Sequence, residues 1–233
     1  MSLPTRLRAV FLDVGGPIYD DENYVSAVRL ALAEMRADDG RPPVVEAEFR
    51  AIYDRIRDQQ GGSLRSALAR ELLGDQSRRE ELHRRTREHW VHPEGTLYPD
   101  VQPFLRALHG SVRIGVLANQ EAAVVDALRR DGIADYIDVW GVSALVGYEK
   151  PSPELFAWAL AEAGTEAAFA VHIGNRLDTD VRPAKALGLG TVWVTRGEAP
   201  DAPTAEQRAE PDLAVSSLDG LADVLLPLVE GRP

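Results

Sequence analysis

Ala9-Val10-Phe11-Leu12-Asp13-Val14-Gly15-Gly16-Pro17 is the stretch that decides the fold. A short apolar run ends at a carboxylate and is followed by two glycines and a proline, the pattern of a strand entering a tight turn. Four later runs, over 112–117, 137–142, 168–173 and 191–194, read the same way, and 213–215 is a weaker edge candidate. Helix-like segments separate them. Strands alternating with helices predict an α/β fold with a doubly wound, Rossmann-like parallel sheet, in which ligands bind beyond the carboxyl ends of the strands. Asp13, Asn119 and Asn175 all fall just past such ends.

Between the first two strands the chain is too long for a simple crossover connection and carries helical periodicity, with helices predicted near 24–37, 45–59, 63–73 and 78–91. The predicted organisation is a core domain from 1–19 and 100–233 with a helical cap domain inserted at 20–99. The segment 197–211 reads as loop and 218–229 as a terminal helix.

Composition narrows the function. A net charge of -11 over 233 residues argues against nucleic acid, whose binders cluster Lys and Arg. Arg78, Arg79, Arg84 and Arg85 alternate with Glu80, Glu81 and Glu88, as on a solvated helix face. The absence of cysteine excludes disulfides, thiolate ligands and a thiol nucleophile. No apolar run reaches the roughly 20 residues that span a bilayer, and the N-terminal residues lack a signal-peptide pattern, so no membrane partner and a cytoplasmic location are expected. The oligomeric state is left open.

Four segments carry the candidate chemistry: FLDVGGPIYDD (11–21), RIGVLANQ (113–120), GYEKPSPELF (147–156) and VHIGNRLDTDVRPAKALGLGTVWV (171–194). Read from residues alone, Asp13 is either a nucleophile or a turn-capping aspartate, and Asn119 either a substrate contact or an N-cap for the helix after it. In order and spacing the four segments resemble the haloacid dehalogenase superfamily over essentially the whole chain.

That resemblance implies a covalent mechanism with Asp13 as nucleophile and Lys150 as its electrostatic partner. It also implies substrate contacts at Gly16, Ala118 and Asn119, and a magnesium ion held by Asp13, the Gly15 carbonyl, Asn175 and Asp180, with Asp178 beside them. Three positions depart from the family pattern. Gly15 stands where phosphatases of the family carry an acid/base aspartate, Ala118 where they carry a hydroxyl, and Asn175 where they carry an acidic ligand, so weak magnesium binding is expected.

A small anionic substrate is expected, a phosphate ester or acyl phosphate, with the cap closing over it. Two other functions are weighed. Dehalogenases of the family also lack the second aspartate and have an Asn followed three residues later by Asp, as Asn175 and Asp178 stand here, but they differ at Gly15, Pro17 and Ala118. A chain that kept the fold and lost catalysis would bind a metabolite or partner instead. Asp20, Asp21 and His172 are the nearest candidates for a surrogate acid.

Overall fold

The computed structural model describes residues 3–229. Six parallel strands form one sheet in the order β3-β2-β1-β4-β5-β6: β1 (Ala9–Leu12), β2 (Arg113–Ala118), β3 (Val139–Val142), β4 (Ala170–Gly174), β5 (Gly190–Val194) and β6 (Leu213–Val215). β1 is central, in register with β2 (Leu12 opposite Val116) and β4 (Leu12 opposite Ile173). Asp13 therefore emerges in the middle of the carboxyl edge, flanked by the ends of β2 and β4.

Strand side chains alternate between faces, so β1 supplies two cores at once. Val10 and Leu12 join Ile114, Val116, Val171, Ile173, Val192 and Val194 on one face. Ala9 and Phe11 join Leu117, Val139, Leu155, Phe156 and Ala184 on the other.

The chain divides into two compact units, one made of the chain up to Asp20 and from Glu94 onward, the other of Asp21–Pro93. The second unit contains α1 (Glu22–Asp38), α2 (Glu46–Gln59), α3 (Leu64–Leu68) running into a wider turn at Ala69–Leu73, and α4 (Arg79–His89). Its own core includes Val28, Leu32, Met35, Phe49, Ile52, Leu68 and Leu82. The return boundary falls at Glu94 rather than at 100, because Leu97 bridges Tyr19 and the Tyr98 amide donates to the Ile18 carbonyl, binding this segment to the sheet unit.

The remaining helices are α5 (Val101–Leu108), α6 (Val124–Arg130), α7 (Ser143–Val146), α8 (Pro153–Ala163), α9 (Arg182–Ala186), α10 (Ala205–Ala209) and α11 (Leu221–Leu225). Two sequence expectations are corrected. The segment read as loop contains α10, whose Thr204–Gln207 capping box makes a helix of it despite its flanking prolines. The terminal helix is shorter than 218–229, since α11 begins only after Gly220 in the left-handed region and gives way to a 3-10 turn at Leu226–Leu228. Among the described residues no helix is long and apolar enough to cross a membrane.

Gly141 tests the packing between strands. A Cβ there would lie 2.4 Å from Leu117 Cδ2 and 2.8 Å from the Val116 carbonyl oxygen. Gly141→Ala should lower the unfolding free energy by about 1–3 kcal/mol, read as a lower urea midpoint. An unchanged midpoint would mean that β2 and β3 have slack which this packing does not show.

Candidate active site

The site begins with a buried lysine. Lys150 Nζ lies 2.9 Å from Asp13 Oδ1 and 2.5 Å from Asp180 Oδ1, with the lysine and Asp180 side chains almost wholly shielded and Asp13 keeping 15% of its side chain open. Charges this far from water persist only when paired. Here one ammonium serves two carboxylates, so the trio carries a net negative charge when both acids are ionised.

Each member has its own support. Lys150 is fixed through its backbone: its amide donates to Asn119 Oδ1 at 2.7 Å, and Asn119 Nδ2 donates to its carbonyl at 2.8 Å. Asn119 thus ties the end of β2 to the segment leading into α8, rather than capping α6, which starts only at Val124. Asp180 accepts the Arg176 amide at 3.0 Å on Oδ2, while its Oδ1 also meets His172 Nε2 at 3.1 Å. Asp180 can only accept, so the His172 proton sits on Nε2 and points at it. His172 Nδ1 is buried without a partner, the ring stands edge-on to Phe156, and burial lowers the imidazole pKa, keeping it neutral. A buried proton directed at Asp180 does not make His172 a surrogate acid.

The two carboxylates diverge. Burial opposes ionisation of both, but Lys150 and His172 outweigh it for Asp180, whose pKa is lowered. For Asp13 burial is the largest influence, opposed by Lys150 and reinforced by the charge on Asp180, and the pKa is raised from 3.8 to about 7. Lys150 stays charged, because the two carboxylates raise its pKa against the effect of burial.

The other sequence candidates have the following surroundings. Asp13 Oδ1 also accepts the Val14 amide at 2.8 Å. Gly16 adopts φ +81°, and a Cβ on it would fall 2.0 Å from Asn175 Nδ2, so the Asn175 side chain packs directly on this glycine. Ala118 is fully buried and contributes only a methyl group. Asp178 is held in a two-point pair by Arg176, at 2.9 Å and 2.8 Å.

For a magnesium ion the four expected donors are reduced. Asp180 is enclosed by Lys150, His172 and the Arg176 amide, and no group of three or more His, Cys, Asp or Glu gathers as a metal cluster among the described residues. Asp13, the Gly15 carbonyl and Asn175 remain. They are hard oxygen donors of the kind magnesium takes, but with one carboxylate among them. The residues fit the ion in kind and predict weak affinity. Arg196 and Asp100, which the motifs did not indicate, also belong to this edge, since Arg196 binds the Gly16 and Pro17 carbonyls.

A family model for haloacid dehalogenase-like hydrolases matches residues 7–188. The chain is 33% identical to a ribulose-1,5-bisphosphate 5-phosphatase of Halopiger xanaduensis over 89% of this chain and 84% of that protein. It is 32% identical to a glyceraldehyde 3-phosphate phosphatase of Methanopyrus kandleri over 57% of this chain and 58% of that protein, so it matches less than two thirds of the latter's length. Among solved structures it resembles a magnesium-bound HAD-hydrolase of Bacillus subtilis (TM-score 0.65, 20% identity, 94% of this chain and 99% of that one). It also resembles a 2-haloacid dehalogenase of Pseudomonas syringae pv. Tomato (TM-score 0.58, 26% identity, 94% and 98%). The chain belongs to the haloacid dehalogenase-like hydrolases.

The trio makes two stability predictions. Lys150→Met strands the Asp180 charge and should cost about 3–5 kcal/mol. Asp13→Asn should act in the opposite direction at high pH. Asp13 holds its proton more tightly folded than unfolded, so its contribution is complete below its ordinary value of 3.8 and is lost as pH rises through about 7. In metal-free buffer Asp13→Asn should therefore melt above the wild type at pH 8, with the margin narrowing as pH falls toward 4. A margin independent of pH would mean that Asp13 ionises freely.

Proposed function

We propose that this chain is a phosphohydrolase in which Asp13 attacks the phosphorus of a small anionic substrate. The observation that carries the reading is the 2.9 Å contact of Lys150 with Asp13 Oδ1, which leaves Oδ2 of the same carboxylate as the nucleophilic atom. Asp180 holds the ammonium from behind, so Lys150 is oriented before substrate arrives, and its charge offsets the negative charge that develops as the aspartyl phosphate forms. The phosphatase identities of the relatives in Halopiger and Methanopyrus support phosphorus as the target atom. In this reading the helical unit Asp21–Pro93 is the cap that selects the substrate.

Gly15 shapes the substrate class. Two residues beyond the nucleophile Gly15 offers no acid for the leaving oxygen, an omission worth about two to four orders of magnitude in rate. Substrates whose leaving group departs as a stable anion, acyl and aryl phosphates, escape that penalty and are favoured over alkyl esters. Asp13, the Gly15 carbonyl and Asn175 would hold a magnesium ion, which would neutralise charge on the transferring group.

One observation favours a second reading. A halide leaves without a proton, so a Gly15 site suits carbon-halogen hydrolysis too, and the likeness to the Pseudomonas dehalogenase supports it. The relatives matched on phosphorus chemistry keep it second.

A panel of acetyl phosphate, p-nitrophenyl phosphate, glycerol phosphate and 2-chloropropionate, assayed with and without magnesium, separates the two. Turnover of acetyl and p-nitrophenyl phosphate should exceed that of glycerol phosphate by about a hundredfold or more, and Asp13→Asn should abolish it. Turnover confined to the haloacid would install the second reading. Silence of folded protein on the whole panel would leave a fold that binds without reacting.

A further inference from the structure

Arg196 lies just past β5, in a segment that none of the four motifs marks. Its guanidinium is largely enclosed, and three of its nitrogens have distinct tasks. Nε donates to the Gly16 carbonyl at 2.9 Å, Nη2 to the Pro17 carbonyl at 2.6 Å, and Nη1 to Asp100 Oδ2 at 2.7 Å. The group lies over the Tyr98 ring, 3.9 Å from its centroid. Asp100, itself buried, also accepts the Leu218 amide at 2.7 Å on the same oxygen, so the anchor is tied to the start of the C-terminal segment. The Arg196 carbonyl accepts Asn175 Nδ2 at 3.3 Å, and Asn175 packs on Gly16.

One residue thus grips the turn after Asp13 by two consecutive carbonyls and holds the side chain at the end of β4. That turn needs such a grip. Gly15 and Gly16 are adjacent, and glycine loses more conformational freedom on ordering than any other residue. Its internal bonds are few: the Gly16 amide to the Tyr19 carbonyl, and the Ile18 and Tyr19 amides to the Val14 carbonyl. The planar, five-donor fork of arginine suits two neighbouring carbonyls and a carboxylate, whereas a lysine ammonium cannot span all three.

We propose that Arg196 is a positioning residue that fixes the Val14–Tyr19 turn, and through it the orientation of Asp13 and the Gly15 carbonyl. Its effect on turnover rests on the hydrolase reading. Its effect on the turn does not.

The test is amide hydrogen exchange of the full chain, with Arg196→Gln and Arg196→Lys compared with the wild type, and Arg182→Gln, which breaks a surface pair with Glu210, as the control. In both Arg196 variants the Gly16, Ile18 and Tyr19 amides should exchange at least tenfold faster. The Asp13 amide, bonded into the sheet at the Ile173 carbonyl, should be unchanged, as should all of these amides in Arg182→Gln. A merely structural arginine would instead accelerate the sheet amides along with the turn. On the panel substrate that the wild type turns over, kcat should fall about a hundredfold with KM within a few-fold, the signature of a misplaced rather than an unbound reactant.

Unaltered turn exchange in Arg196→Gln overturns the proposal, as does equal acceleration of turn and sheet, or a loosened turn with unchanged kcat. If the wild type turns over nothing, the hydrolase reading has failed and the exchange pattern alone decides whether Arg196 holds the turn.

Discussion

A single buried ammonium shared by one buried and one partly open carboxylate is the constraint on which the rest of this edge depends. Lys150 cannot be withdrawn from water alone, and neither can Asp180. The surroundings answer that requirement in detail. Asn119 fixes the lysine backbone at two points, and His172 and the Arg176 amide complete the Asp180 oxygens. Gly174 admits the carboxylate, since a Cβ there would fall 2.2 Å from Asp180 Cγ. The result is asymmetric: Asp180 is charged and closed in, while Asp13 has the raised pKa and the partly open side chain. Two carboxylates of different character arise around one lysine: each accepts one backbone amide, but only Asp180 also has a histidine.

None of the departures from the family pattern falls on a member of this trio. Gly15, Ala118 and Asn175 stand at positions that the resemblance ties to a leaving group, a transferred group and a metal, whereas the Lys150 pairings with Asp13 and Asp180 are intact. On the proposed mechanism this arrangement would preserve the means of making a nucleophile and narrow the range of groups it can displace. Asn175 has a local reason as well. Its Nδ2 donates to the Arg196 carbonyl, where a carboxylate would place two acceptors face to face.

Much of the sheet was legible from the sequence, because buried parallel strands read as apolar runs and end at turn residues. β1 and β6 have the expected bounds, while β3 starts at Val139 rather than 137, since a 3-10 turn at Ala134–Tyr136 occupies the approach. Asp13 and Lys150 were legible as candidates because each follows a strand or precedes a proline in a recognisable segment. The roles of Asn119 and His172 were not: Asn119 meets Lys150 through the pairing of β2 with β3, and His172 meets Asp180 through the turn that folds Leu177–Val181 back over the end of β4. Arg196 was the least visible, one arginine in a chain rich in them, distinguished by contacts that span 180 residues to Gly16.

The most direct measurement is acid quench of the protein during turnover of acetyl phosphate, followed by digestion and mass spectrometry of the peptide that carries Asp13. The account predicts a phosphoryl group on Asp13 that accumulates and decays with turnover. Steady turnover with Asp13 unmodified, or with the group on another residue, would contradict it.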